Sequence, residues 1–143
     1  MQRTANVVWA GDLRNGSGTI NTGSKTITNL PVTFPARLES ESDVTSPEEL
    51  IAAAHAACYN MALSNILAQG GNAPTRLETS AEATFEKVEA GWRLTTMALS
   101  VRGDVPGIDA DGFAAAAAKA KDGCPVSNAL AGNVEITLES ALT

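Results

Sequence analysis

The apolar positions along this chain change period as it proceeds. Val7-Val8-Trp9 is a short apolar run closed by Gly11-Asp12, and Asn15-Gly16 with Gly18 marks a turn. Thr19 to Thr28 is rich in Thr and Ile with polar alternation, which predicts a strand. Val32 to Leu38 predicts another, at an edge or broken, because Pro35 removes a ladder donor. Ser46-Pro47-Glu48-Glu49 then opens a helix: Ser46 caps it, Pro47 suits its first position and Glu49 completes a capping box. The helical pattern runs to about Gln69, where Gly70-Gly71 stops it. Residues such as Leu50, Ala54, Ala57, Met61, Leu63 and Leu67 place apolar groups almost all round this segment, as expected of a buried helix.

Leu77 to Val88 and Trp92 to Val101 read as strands flanking Glu89-Ala90-Gly91, a hairpin signal. Asp109 caps a second helix that runs to Lys121, with Gly123 as its stop. Val134 to Glu139 alternates again and reads as a last strand. Strands, helix, hairpin, helix and strand make an α+β fold, with a mostly antiparallel sheet packed on a central buried helix. No repeat, low-complexity linker or boundary interrupts the pattern, so a single domain over residues 1–143 is expected.

Composition adjusts this picture. A chain of 143 residues buries roughly 70% of its unfolded surface. Of its residues 44% are hydrophobic, many of them alanine, and only 4% are aromatic. So few large side chains fill a thin core, which points to further burial at a subunit interface. The net charge is −6 and the ten basic residues are scattered, so no nucleic-acid partner is expected. No stretch reads as the ~20 apolar residues of a membrane span, and the first residues lack a signal-peptide core. A cytoplasmic location with no membrane partner is the expectation, and thiols there stay reduced.

The candidate chemistry is sparse. There are two cysteines, Cys58 and Cys124, and one histidine, His55. Cys58 lies inside the long helix, either as a small core residue or as a reactive group. Cys124 precedes Pro125 and reads as the cap of a short helix to about Leu130, where exposed backbone N–H groups stabilise a thiolate; a plain loop cysteine is the alternative. The two form a redox pair only if the fold brings their Cα atoms within about 7 Å. His55 lies one helical turn before Cys58. The pair could serve as nucleophile and base of a cysteine hydrolase, but a satisfied core histidine fits a buried helix better. No ligand spacing matches a metal site, and no cofactor is implied. Glu48 and Glu49 complement a helix dipole, and Arg37 taken alone reads as a surface residue.

Certain segments together carry a resemblance over nearly the whole chain: Trp9-Ala10-Gly11-Asp12, Pro47 to Cys58, Val105 to Asp109, and Ala120 to Ser127. The chain resembles the osmotically induced protein C (OsmC) family, which forms one superfamily of thiol peroxidases with the organic hydroperoxide resistance (Ohr) proteins. Val105 to Asp109 and the surroundings of Cys124 are similar to the OsmC branch. The resemblance implies an OsmC-like fold in an interwoven homodimer. It implies a peroxidase acting on organic hydroperoxides, with hydrogen peroxide a poorer substrate, and an external dithiol as reductant. Cys58 matches the attacking cysteine, Cys124 the resolving one and Glu48 the family glutamate. Arg37 matches the arginine of the OsmC branch, although the loop Ser40 to Thr45 is slightly longer than the family pattern. Arg14 falls near where the Ohr branch supplies its own. On one straight helix Glu48 and Cys58 lie about 15 Å apart along the axis. Either the helix breaks between Ala52 and Ala57 or two chains build the site jointly. A non-enzymatic, stress-related binding dimer is the remaining alternative to the peroxidase and the hydrolase.

Overall fold

A computed structural model describes residues 1–39 and 42–143. The chain forms two compact units, Met1–Leu50 and Ile51–Thr143. Ser40 and Glu41, and with them the length of the loop to Thr45, lie outside the described residues.

The first unit is a three-stranded antiparallel sheet in the order β1-β2-β3: β1 (Ala5–Ala10), β2 (Ser17–Thr22) and β3 (Leu30–Val32). Asp12 shapes the β1–β2 turn by accepting from the backbone N–H of Arg14 at 2.9 Å and of Asn15 at 3.1 Å. These bonds, with the Asn15 amide, hold the Asp12 carboxyl below its usual range. Two expected boundaries move. The strand expected over Thr19 to Thr28 ends at Thr22, where Thr22 and Ile27 close a turn. The strand expected over Val32 to Leu38 gives way to a 3-10 turn at Pro35–Arg37. Pro35 offers no ladder donor, and the N–H groups of Arg37 and Leu38 bond back to Phe34 at 3.1 Å and Pro35 at 2.9 Å.

Helix α1 (Pro47–Gln69) starts and stops where the sequence places its ends. The Ser46 hydroxyl accepts from the Glu49 backbone N–H at 3.1 Å. The return half of the capping box does not form; the Glu49 carboxylate instead accepts from the Thr45 hydroxyl at 2.5 Å. The helix is unbroken through Ala52 to Ala57, which removes the first of the two expected alternatives. By length and composition α1 could cross a membrane, against the expectation that no segment could. Its many alanines raise hydropathy without adding bulk, and in this fold it serves as the core helix.

In the second unit β4 (Arg76–Val88) and β5 (Gly91–Asp104) form the expected hairpin, with a bulge at Thr84/Phe85. Strand β6 (Glu135–Leu142) pairs with β5 in parallel, because α2 (Ala110–Gly123) and α3 (Pro125–Leu130) carry the chain back across. Asp109 caps α2 through the Gly112 N–H at 2.8 Å. On β5, Met97, Leu99 and Val101 point inward while Ala98, Ser100 and Arg102 point out. Leu99 and Val101 bury against Tyr59, Leu63 and Leu67 of α1 and Phe113, Ala117 and Ala120 of α2. Gly103 extends that face without a side chain, and a Cβ there would lie 2.6 Å from the Phe113 ring.

Burial of α1 differs from the all-round burial expected. One stripe is buried: Ala52, His55, Tyr59, Leu63 and Leu67. The opposite side, with Ala54, Ala57 and Met61, is exposed in the single chain, Met61 to 73%. Strand β1 is likewise exposed along its whole length, Val7, Val8 and Trp9 included.

Candidate active site

The long helix and the short α3 bring the two cysteines together. Cys58 projects from α1, partly buried; Cys124 caps α3 and is fully buried. Both are free thiols, near enough for each to shift the other's acidity. Sequence alone could not show this proximity. It arises because the buried stripe of α1 and the α2–α3 junction share one core with Tyr59, Ala117 and Ala120.

The two sulfurs are not equivalent. Burial pushes the Cys58 thiol up; the Val126 N–H acts against this, while Cys124 pushes the same way as burial. Cys124 is also desolvated, yet its acidity is shifted the other way, below the ordinary thiol value. The Ser127 N–H, the Cys58 thiol, the Ser127 hydroxyl and the Val126 N–H all favour its thiolate. The Cys124 side chain closes no formal capping hydrogen bond, so these groups act as directed dipoles on a buried sulfur. Within the second unit, then, Cys124 is the more acidic thiol of the pair and Cys58 the less acidic. Tyr59 stands beside them: burial and the Cys124 charge raise its hydroxyl far above the ordinary phenol value. That hydroxyl stays protonated and donates to the Ala117 carbonyl at 3.2 Å.

His55 is fully buried, and desolvation lowers its pKa, which keeps the imidazole neutral. Its Nε2 lies 2.8 Å from the Ser127 hydroxyl, and its Nδ1 is buried with no hydrogen-bond partner. The histidine is therefore engaged with Ser127, as a core residue, and not with Cys58 as a hydrolase base requires. Ser127 is the residue that sequence reasoning passed over. Its one signal was its place on the third residue of the helix that Cys124 caps.

The first unit brings a second pair together. Arg37 Nη2 donates to Glu48 Oε1 at 2.5 Å and Arg37 Nε to Glu48 Oε2 at 3.1 Å, a bidentate fork. Glu48 is nearly buried and Arg37 partly so. Arg37 ends its 3-10 turn and Glu48 is in the first turn of α1, so local geometry fixes both. Arg14 sits exposed in the β1–β2 turn, where its backbone is bound to Asp12. No cluster of three His, Cys, Asp or Glu side chains able to hold a metal occurs among the described residues.

The chain is similar in sequence and fold to known proteins. A family model described as OsmC-like protein matches residues 40–139. The chain is 47% identical over 134 residues to Peroxiredoxin OsmC of Escherichia coli (strain K12), covering 94% of this chain and 92% of that protein. It is 34% identical over 122 residues to the organic hydroperoxide resistance protein OhrA of Bacillus subtilis (strain 168), covering 82% of this chain and 84% of that protein. A crystal structure of an organic hydroperoxide resistance protein OsmC from Legionella pneumophila superposes with a TM-score of 0.77 at 27% identity, over 96% of each chain.

Proposed function

The chain belongs to the OsmC-like protein family, and from that premise we propose that it is a cysteine-based peroxidase that reduces organic hydroperoxides to alcohols. The observation that carries this reading is the meeting of Cys58 and Cys124 at one apolar core, near enough for each thiol to shift the other's acidity. The Cys58 thiolate attacks the outer peroxide oxygen. The O–O bond breaks, the alkoxide takes a proton and leaves as alcohol, and Cys58 becomes sulfenic acid. The Cys124 sulfur then attacks the Cys58 sulfur. An S–S bond forms, the S–O bond breaks and water leaves. An external dithiol restores both thiols by exchange.

Cys58 must be a thiolate to begin this sequence, and within its own unit it is the less acidic partner. Arg37 supplies the missing charge in this reading, and Glu48 orients Arg37 without acting on substrate. With α1 unbroken, the reading places both in a site completed by two chains of a homodimer. The exposed apolar residues of β1 and the exposed side of α1 support such an interface. The apolar cluster against which Cys58 packs, with Leu63, Ala117 and Ala120, favours alkyl over hydrogen peroxide. The protein acts in the cytoplasm under oxidative or osmotic stress, as one domain over residues 1–143.

Thiol titration after adding an alkyl hydroperoxide tests the proposal. Two thiols per chain should disappear and return with a dithiol. Cys58→Ser should abolish turnover, and Cys124→Ser should leave Cys58 open to overoxidation. Thiols that remain titratable after peroxide would overturn the reading.

A further inference from the structure

The buried His55–Ser127 contact has no part in the chemistry described so far. Ser127 lies in the first turn of α3, directly after the Cys124 cap. Its hydroxyl lies 2.8 Å from His55 Nε2 and favours the charged form of the Cys124 thiol. Both residues are buried, Ser127 to 4% exposure and His55 completely.

Proton counting fixes the direction of this chain. A serine hydroxyl has one proton. If that proton points at the Cys124 sulfur, the Ser127 oxygen must accept from His55. His55 then carries its proton on Nε2. The unpartnered Nδ1 is a bare lone pair and not a stranded N–H, which agrees with its lack of any hydrogen-bond partner. A donor whose own oxygen is hydrogen-bonded is polarised and donates more strongly.

We propose that His55 and Ser127 are positioning residues, a two-step donor relay in which buried His55 holds the Ser127 hydroxyl so that its proton is directed to the Cys124 sulfur at the start of α3. Its use in disulfide formation rests on the peroxidase reading; its existence does not. His55 neither gains nor loses a proton in the step. Cys58–SOH and Cys124–S⁻ give the disulfide and hydroxide, which takes a proton from solvent. The sulfenic sulfur is reduced and the Cys124 sulfur is oxidised. The other ionisable groups around Cys124 are Cys58 and Tyr59 of α1, and Tyr59 is tied to the Ala117 carbonyl.

The test uses the full chain carrying Cys58→Ser, so that Cys124 is the remaining thiol, and follows thiolate ultraviolet absorbance against pH. Ser127→Ala should move the midpoint up by about one pH unit, a tenfold loss of thiolate at a given pH below it. His55→Leu should move it the same way by less. His55→Gln, whose side-chain amide can present an N–H toward Ser127, should bring it back toward the parent value. Circular dichroism establishes which variants are folded. A folded Ser127→Ala protein with the parent midpoint overturns the relay by itself, as does a His55→Gln midpoint no closer to the parent than that of His55→Leu. Because no peroxide is used, failure of the peroxidase reading leaves this measurement intact.

Discussion

If Glu48 works only by holding Arg37, removing both residues should do no more harm to turnover than removing Arg37 alone. The structure supplies the scale. Two charge-assisted hydrogen bonds join the pair, with 10% of the Glu48 side chain and 28% of the Arg37 side chain exposed. Hydrogen bonds to charged groups are worth about 1.5–3 kcal/mol, and partial solvent screening places this fork near 2 kcal/mol. A double-mutant cycle of Arg37→Met, Glu48→Gln and the double variant, followed by denaturant unfolding, should return a coupling energy of about that size. Arg37→Met should be the least stable, because it strands a nearly buried carboxylate. In single-turnover consumption of an alkyl hydroperoxide, Arg37→Met should lose roughly 100-fold, the loss of about 3 kcal/mol of thiolate stabilisation. Glu48→Gln should lose about tenfold, since Arg37 remains but is less well held. The double variant should match Arg37→Met. Losses that multiply would mean that Glu48 acts on substrate itself, and a coupling energy near zero would refute the fork.

Other consequences concern the second unit and the start of α1. The lowered His55 pKa means that the folded state binds its proton less readily than the unfolded chain, so the neutral ring stabilises the fold above pH 6.5. That contribution should drain away as pH falls below 6.5, and His55→Gln should flatten this part of the stability–pH curve; an unchanged slope would count against it. Gly103→Ala should destabilise by about 1–3 kcal/mol in chemical unfolding, because the new Cβ meets the Phe113 ring at 2.6 Å. Phe113→Leu in that background should recover part of the loss. Ser46→Ala should cost about 1 kcal/mol through loss of the cap on Glu49, read from the same unfolding curves.

Local rules settled much of this protein in advance. Ser46-Pro47 and Gly70-Gly71 bracket α1, Asp109 caps α2, and Cys124-Pro125 opens α3, because each of these residues satisfies or removes backbone groups within a few positions of itself. The hairpin β4–β5 follows from alternation around Glu89-Ala90. The same reasoning failed at Pro35, where a missing ladder donor turned an expected strand into a 3-10 turn that delivers Arg37 to Glu48. It also failed at Ser127, whose role depends on a histidine far away in sequence.

The sequence by itself thus determined the helix ends, the hairpin, the shortage of large core residues and the two sulfurs on which redox chemistry could rest. Tertiary structure decided what those sulfurs feel. Charge on a thiol depends on dipoles and donors gathered from α1 and α3 within a few ångströms, and no local rule specifies which of them meet. The helix-cap setting marked Cys124 as the more acidic thiol, and packing then added Ser127 and the Cys58 thiol to the groups that make it so. Packing also pushed the Cys58 thiol the other way, because burial and the neighbouring Cys124 both disfavour its charge.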